Sequence, residues 1–140
     1  MIKLIIGNKG SGKTKKLIDQ VNLCVEQSDG NVVCVEKETK LTYDVNYRAR
    51  PIATDTFSVT GYDAFYGFLS GICAGDHDIT DLFVDATFRI AANRDGSALL
   101  EFLKKVATLS EISDTQFTFT ISADEEALPA ELFEFCNRIN

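Results

Sequence analysis

The chain has 140 residues, a length that fits one domain over residues 1–140 with a core of its own. Hydrophobic residues make up 45% and charged residues 25% of it, proportions that exclude a disordered or fibrous protein. The formal net charge of −7 makes nucleic acid or an anionic membrane an unlikely main partner, because both need a positive field. No apolar run reaches the roughly 18 residues of a membrane helix, so we predict a cytoplasmic protein.

Four cysteines are spread along the chain without a CxxC pair: Cys24, Cys34, Cys73 and Cys136. This spacing argues against a zinc site, and His77 is the only histidine that could complete one. We expect the cysteines to be buried, reduced thiols.

The first elements follow in the order strand, glycine-rich turn and helix. A β-rich run from Ile2 to Ile6 predicts a strand that stops at Gly7. Apolar residues at helical spacing then predict a helix: Leu17, Ile18, Val21, Cys24 and Val25. This helix should end near Ser28-Asp29-Gly30, with Gly30 in the left-handed conformation.

Three later segments are predicted strands. The apolar run Val32–Val35 ends at Glu36, a further strand from Ile79 to Val84 ends at Asp85, and residues 116–122 alternate polar and apolar side chains. The polar segment 37–56 is predicted as a long loop with at most one short strand.

Three further helices are predicted from apolar spacing. They cover residues 62–73 with Thr60 as N-cap, residues 99–109 with Ser97 as N-cap, and about Pro129 to Asn137. For the first of these, which is rich in aromatic residues, core packing is the ordinary explanation and base stacking the alternative. Strands alternating with helices predict an α/β fold with three layers, a parallel sheet of four to five strands and helices on both faces.

The segment Gly7-Asn8-Lys9-Gly10-Ser11-Gly12-Lys13-Thr14, here called the glycine turn, matches the pattern GxxxxGK[ST]. Glycines let the backbone approach an anion, successive N–H groups point inward, and the helix start adds partial positive charge. We therefore predict a nucleoside triphosphate site here, with Lys13 between the β- and γ-phosphates. Lysines gather in and just after the turn: Lys9, Lys13, Lys15 and Lys16.

Thr14 and Asp85 are the predicted ligands of a Mg²⁺ ion bound with ATP. The hydroxyl of Thr14 would bind the ion beside the phosphates. Asp85 ends a buried strand, and in parallel sheets ligands gather at that edge. An aspartate there can also be a simple cap, but the glycine turn favours the metal role.

By Gly7 to Thr14 and by Leu82 to Asp85, the chain resembles the P-loop NTPases. Over most of its length, including Tyr62 to Gly71, it is also similar to very small bacterial ATP-binding proteins, some labelled as similar to twitching-motility ATPases. The resemblance implies a P-loop NTPase fold that binds ATP with Mg²⁺. It does not imply a motor, because those ATPases are much longer and carry histidine-bearing motifs, whereas this chain has only His77.

In many P-loop ATPases a glutamate follows the Walker B aspartate and orients the attacking water, but here Ala86 and Thr87 follow. Relatives with RecA-like topology place that glutamate at the end of the strand after the first helix, and Glu36 matches that position. The ordinary alternative is that Glu36 and Glu38 are solvated loop residues.

The same family picture makes Ser122 or Thr120, near the end of the last predicted strand, a candidate sensor of the γ-phosphate. Arginines that could stabilise developing charge are Arg48, Arg50, Arg89 and Arg94. A second subunit can also supply such an arginine.

Three functional hypotheses follow from these patterns. The first is a Mg²⁺-dependent ATPase with slow intrinsic turnover, with Lys13 and Glu36 as catalytic residues. The second is a nucleotide-binding switch or module without turnover, which acts with a protein partner or as a homo-oligomer. The third is a small-molecule kinase of thymidine-kinase-like layout with its acceptor held by the loop 37–56, although the paired zinc-binding cysteines of those kinases are absent. No Asn-Lys-x-Asp motif is present, which favours ATP over GTP.

Overall fold

A computed structural model describes residues 1–40 and 44–140 as an α/β arrangement. Its strands are β1 (Ile2–Gly7), β2 (Asn31–Glu36), β3 (Ala49–Ala53), β4 (Ile79–Asp85), β5 (Gln116–Ser122) and β6 (Cys136–Arg138). Its α-helices are α1 (Lys13–Gln27), α2 (Tyr62–Gly75), α3 (Thr87–Ala91) and α4 (Gly96–Ser113). Short 3₁₀ helices cover Asp55–Phe57, Glu125–Ala127 and Ala130–Glu134. Part of the predicted loop 37–56, residues 41–43, lies outside the described residues.

The strands form one sheet in the order β3-β2-β4-β5-β1-β6, and all neighbouring pairs are parallel. The sheet therefore has six strands in the described residues, where the sequence predicted four to five. Because the strands are parallel, their carboxyl ends meet at one edge. Gly7, Glu36, Asp85 and Ser122 all lie there, as the last residues of β1, β2, β4 and β5.

The last predicted helix is wrong. Residues Pro129 to Asn137 contain instead the 3₁₀ helix Ala130–Glu134 and then β6, which pairs with β1. Leu132 and Cys136 are buried as expected, but their spacing of four suits this arrangement as well as a helix. Pairing with the free edge of β1 decides the outcome, because strand propensity depends strongly on tertiary context.

The sheet is covered by helices on both faces. On one face α1 packs Leu17, Val21 and Val25 against apolar side chains from β1, β2 and β4. On the other face α2, α3 and α4 cover a larger core, in which Phe65, Phe102 and Phe119 form close aromatic pairs. Burial of each such ring contributes about 1.5–3 kcal/mol to stability.

Helix α2 supports the core-packing interpretation of its aromatic residues. Its buried side chains are Phe65, Leu69 and Cys73, which recur at helical spacing. Tyr62 and Tyr66 are partly buried against the same core. The prediction of a helix over residues 62–73 is confirmed, and the base-stacking alternative has no exposed aromatic row on this helix to support it.

Two predicted N-caps are corrected. Gly61, not Thr60, precedes α2, and no side chain caps that helix. Asp95, not Ser97, caps α4, and its carboxylate accepts a hydrogen bond from the backbone N–H of Ala98 at 3.1 Å. The aspartate lies two residues earlier than the predicted cap, so α4 begins two residues sooner than a helix capped by Ser97 would.

The end of α1 also differs in detail. The helix stops at Gln27, and Ser28 is extended, while Gly30 lacks the predicted left-handed conformation. Gly30 is needed for space: a Cβ there would collide with the Thr80 side chain and lie 2.5 Å from the carbonyl oxygen of Asp78.

The four cysteines are all unbonded thiols. Cys34, Cys73 and Cys136 are buried as expected, whereas Cys24 on α1 is only half-buried. Burial raises the pKa of Cys24, Cys34 and Cys136 to about 12. These thiols are therefore protonated near neutral pH and behave as small apolar groups.

Within residues 1–40 and 44–140, none of the helices combines the length and the hydropathy that a membrane span requires.

Candidate functional site

The glycine turn connects β1 to α1 at the carboxyl edge of the sheet. Gly10 and Gly12 have φ angles of +84° and +87°, which side-chain-bearing residues rarely adopt. At Gly7 a Cβ would collide with the side chain of Ser11. Gly10 and Gly12 are thus required for their backbone conformation and Gly7 for the space that Ser11 occupies. The turn folds into a compact loop, as the sequence predicts.

The start of α1 offers several backbone donors. Gly12 is the N-cap, no side chain caps the helix, and no acidic residue stands in the first turn. Within the turn, the N–H of Ser11 donates to the carbonyl oxygen of Asn8 at 3.1 Å. The N–H groups of Gly10, Gly12, Lys13 and Thr14 donate to no other residue that the structure describes. Such a set of free donors at a helix start favours an anion.

Lys13 is the buried lysine of this turn, and its side chain is nearly enclosed. Only 8% of the residue is exposed, and its Nζ donates to the carbonyl oxygen of Asn8 at 2.9 Å. Burial lowers the pKa of the Lys13 ammonium below its usual 10.5, and the nearby carboxylate of Asp85 opposes that shift in part. The cost of burying the charged ammonium is thus only partly offset in this structure, and contact with phosphate oxygens would offset the rest.

An ATP molecule bound at the glycine turn, as the sequence predicts, would take up protons at alkaline pH because of Lys13. The pKa is lowered from 10.5 in the free protein and would rise again beside phosphate oxygens. A fraction of one proton is then absorbed per ATP in the window between the lowered value and 10.5. Calorimetry at about pH 9.5 in two buffers of different ionisation enthalpy measures it, since the phosphates are already deprotonated there. Lys15→Ala should keep the uptake, and equal uptake by Lys13→Ala would contradict the assignment.

Thr14, Asp85 and Thr120 form a short hydrogen-bonded chain beside the turn. The hydroxyl of Thr14 donates to Oδ2 of Asp85 at 3.4 Å, and that of Thr120 donates to Oδ1 at 2.5 Å. Thr120 is completely buried on β5, the strand that lies between β1 and β4. The structure therefore brings together the two predicted Mg²⁺ ligands, and Thr120 fixes the orientation of the carboxylate between them.

Glu36 is not a solvated loop residue, which corrects the ordinary interpretation of the sequence. It is the last residue of β2, it is only 5% exposed, and its Oε1 accepts from the backbone N–H of Lys40 at 2.6 Å. Glu36 pairs in register with Asp85 on the neighbouring strand. Parallel strands lie about 4.8 Å apart, so the two carboxylates project side by side toward the α1 face. Glu38, by contrast, is exposed.

The other lysines in and just after the turn are less buried than Lys13. Lys9 is exposed, Lys16 is half-buried, and the ammonium of Lys15 lies 3.3 Å from a carboxylate oxygen of Asp19 on the same helix. Lys15 can still offer its backbone N–H to an anion, but its charge is partly satisfied on the helix surface. An exposed pair of this kind adds little stability.

Two residues of the turn region were not found from the sequence. Asp124 accepts a hydrogen bond at 2.7 Å from the side-chain amide of Asn8, which ties the turn to the segment after β5. Asn140 pairs its side-chain amide with the backbone of Ile6, at 3.0 Å to the N–H and 2.7 Å to the carbonyl oxygen. Both partners are far away in sequence, and no local pattern marks them.

The four candidate arginines divide into two groups. Arg48 donates to the carbonyl oxygen of Val25 near the far end of α1, and Arg50 lines a cavity beside α2. Arg94 lies at the carboxyl edge, where it donates to the carbonyl oxygen of Ser122 at 2.7 Å. Arg89 shares a cavity with Arg94. Of the two candidate sensors, Ser122 accepts the hydrogen bond from Arg94 with its backbone carbonyl oxygen. Thr120 is the one whose buried hydroxyl contacts Asp85.

A large cavity lies away from the glycine turn. It has a volume of about 650 Å³ and lies between β3 and α2, with Ile52, Phe57 and Phe68 among its lining residues. It is lined by Arg50 and other residues of the segment 37–56, but not by Lys13, Thr14 or Asp85, whereas the glycine turn holds free donors, a buried lysine and paired oxygens. We therefore assign the candidate site by its chemistry and not by cavity size.

A metal site made by protein side chains alone is absent from the described residues, which hold no group of three or more His, Cys, Asp or Glu side chains suited to a metal. The hydroxyl of Thr14 and the carboxylate of Asp85 nevertheless fit Mg²⁺, which prefers hard oxygen ligands and takes the rest from phosphates and water.

No protein-family model matches the chain, and no curated protein shows significant similarity to it. Its function therefore has to be argued from the geometry of the glycine turn and its neighbours.

Proposed function

We propose that this protein is a P-loop protein that binds ATP together with Mg²⁺ and hydrolyses it slowly. The main support is that the free N–H groups of the glycine turn, Lys13 and the oxygen pair Thr14–Asp85 meet at one edge of a parallel sheet. Each group alone has a structural explanation. Their combination matches what a Mg²⁺-bound polyphosphate requires: backbone donors, one cation and two hard oxygen ligands.

The proposed roles follow from these positions. The free backbone N–H groups of Gly10, Gly12, Lys13 and Thr14 bind the β-phosphate. The ammonium of Lys13 leaves the Asn8 carbonyl oxygen to bind between the β- and γ-phosphates. Thr14 and Asp85 would hold a Mg²⁺ ion, which would supply positive charge to offset that of the phosphates. Thr120 donates to the Asp85 carboxylate and so keeps one of its oxygens aimed at the ion.

Glu36 is the proposed base for hydrolysis. Its carboxylate would accept a proton from water as the water oxygen bonds to the γ-phosphorus and the bond to the β–γ bridging oxygen breaks, releasing ADP and phosphate. The proposal is supported by its register with Asp85, which puts Glu36 beside the proposed Mg²⁺ ligand. Its hydrogen bond with the N–H of Lys40 must lengthen or rotate to allow this, which is consistent with slow turnover.

A nucleotide-binding switch or module without turnover is the second candidate. It is favoured by the same hydrogen bond from the Lys40 N–H, which engages the Glu36 carboxylate at 2.6 Å. In that case a protein partner or a second copy of the chain would release Glu36 or supply a missing group. The small-molecule kinase stays a third alternative: Arg50 lines the cavity beside α2 together with other residues of the segment 37–56, whereas Arg48 donates to the carbonyl oxygen of Val25.

Two finer proposals accompany this function. We propose adenine as the base, because the sequence has no Asn-Lys-x-Asp motif for reading guanine. We also propose a cytoplasmic location, on the reduced state of the four cysteines and the absence of a long apolar run from the sequence.

Titration calorimetry with ATP and Mg²⁺ tests the binding proposal. Binding should be clear for the wild type and weaker by a factor on the order of 100 for Lys13→Ala, since a charged partner of the phosphates is lost. Absence of binding by the wild type would end both the ATPase and the switch proposals. Release of phosphate above the Lys13→Ala level supports the ATPase, and binding without release supports the switch.

A further inference from the structure

A second cavity lies at the carboxyl edge of the sheet, close to the glycine turn. Its volume is about 280 Å³, and we call it the Arg94 pocket. Ala86, Phe88 and Ala92 supply apolar lining, while Arg89 and Arg94 supply two guanidinium groups. The pocket therefore combines an apolar part with concentrated positive charge in a protein whose net charge is −7.

Neither arginine has its charge neutralised within the part of the chain that the structure describes. No ion pair includes Arg89 or Arg94. Arg94 uses one donor for the carbonyl oxygen of Ser122, and its guanidinium lies over the ring of Phe88 at 5.1 Å from the centroid. The stacking and the hydrogen bond orient the guanidinium, and most of its five donors remain available.

The Arg94 pocket is joined to the candidate nucleotide site through the backbone. Ala86 directly follows Asp85 in sequence. Ser122 pairs in register with Gly7, the residue that opens the glycine turn. The pocket thus lies over the ends of β4 and β5, at the edge where ligands of parallel α/β sheets bind.

We propose that the Arg94 pocket binds a second small molecule, an organic anion that carries a phosphate or carboxylate group on a compact apolar body. The anionic group would contact Arg89 and Arg94, and the apolar body would contact Phe88 and the alanines. The volume, 280 Å³, is at the lower end for ligand pockets and suits a single ring with its anion, but not a nucleotide. The binding itself does not depend on the proposed ATP function; only its position beside bound ATP does.

Nuclear magnetic resonance titration with phenyl phosphate tests this proposal, with benzyl alcohol as the neutral control probe. The titration is done in the Lys13→Ala protein, in which anion binding at the glycine turn is weakened. Backbone amide signals of Phe88, Arg94 and Ser122 should shift with phenyl phosphate and not with benzyl alcohol. Shifts restricted to residues 7–14, or no saturable shift at all, would overturn the proposal.

Arginine variants give the second arm of the test. Arg94→Gln and Arg89→Gln should each weaken phenyl phosphate binding by a factor on the order of ten, because a charge-assisted hydrogen bond is lost. Arg50→Gln removes the same charge from an exposed arginine outside the pocket and should leave the affinity unchanged. Equal weakening by Arg50→Gln would mean unspecific charge attraction and overturn the proposal.

ATP calorimetry on the wild type separates the two proposals. If ATP fails to bind while phenyl phosphate still binds with the predicted pattern, the nucleotide proposal fails alone. The reverse result removes the Arg94 pocket and leaves the nucleotide proposal in place.

Discussion

Replacing Asp85 by asparagine is expected to remove most of the Mg²⁺ dependence of ATP binding. In the wild type the carboxylate stands 3.4 Å from the Thr14 hydroxyl, where both oxygens can share one ion. Asparagine keeps the size of the side chain and an oxygen for the Thr120 hydroxyl, but it loses the negative charge. We expect affinity for ATP with Mg²⁺ to fall by at least about tenfold, and affinity without Mg²⁺ to stay the same or improve.

Asp81→Asn is the matched control for this experiment. Asp81 lies on the same strand and the same sheet face as Asp85, four residues earlier and so about 13 Å away. Its replacement makes the same change of charge without touching the Thr14–Asp85 pair. Titration calorimetry with and without Mg²⁺ measures all three proteins, and an Asp85→Asn protein with wild-type Mg²⁺ dependence would exclude Asp85 as a ligand.

Replacing Glu36 by glutamine is expected to reduce ATP turnover strongly while ATP still binds. Glutamine preserves the acceptor oxygen for the Lys40 N–H, so the end of β2 should keep its structure. It cannot accept a proton from water. General base catalysis contributes about 10²- to 10⁴-fold, so we expect phosphate release to fall by a factor on the order of 100, with ATP affinity changed less than about threefold.

Glu38→Gln provides the comparison, because Glu38 is exposed and only two residues further along the chain. Its phosphate release should match the wild type. Turnover that is equal in Glu36→Gln and wild type would remove Glu36 from the mechanism. A fall in affinity as large as the fall in turnover would instead indicate a binding role for this carboxylate.

The glycine turn and the strands around it could be predicted because their signals are local. β1, β2 and β4 each contain at least three consecutive apolar residues, and β5 alternates polar and apolar residues. Their observed bounds agree with the prediction to within one residue at each end. The positive φ of Gly12 likewise falls on a glycine that the pattern fixes, whereas Gly10, with the same conformation, stands at one of its variable positions. These elements carry Lys13, Thr14 and Asp85, so the core of the candidate site was accessible from the sequence.

The rest depends on contacts between distant parts of the chain. β6 is a strand because β1 offers it an edge, and the sequence of residues 136–138 carries no strand pattern. α3 has only five residues, too few for a helical period to be recognised. Thr120 was a candidate sensor, but its contact with Asp85 exists only because β5 lies between β1 and β4.

Charge was the least informative signal at the level of single residues. Arg48 and Arg94 look alike in the sequence, each in a polar segment between predicted elements. Arg48 donates to Val25 at the far end of α1, and Arg94 donates to Ser122 at the carboxyl edge of the sheet. Only the folded arrangement separates an arginine at the far end of α1 from one at the carboxyl edge of the sheet.

The position of β5 between β1 and β4 sets the distance between the two strands that carry the candidate site. Two interstrand gaps, together about 9.6 Å, separate the strand that leads into the lysine from the strand that ends in the aspartate. Hydrogen bonds on both sides of β5 make this width stiff. Any adjustment of the site around a bound ion must therefore come from rotation of side chains and from the first turn of α1. The distance between β1 and β4 in the sheet stays constant.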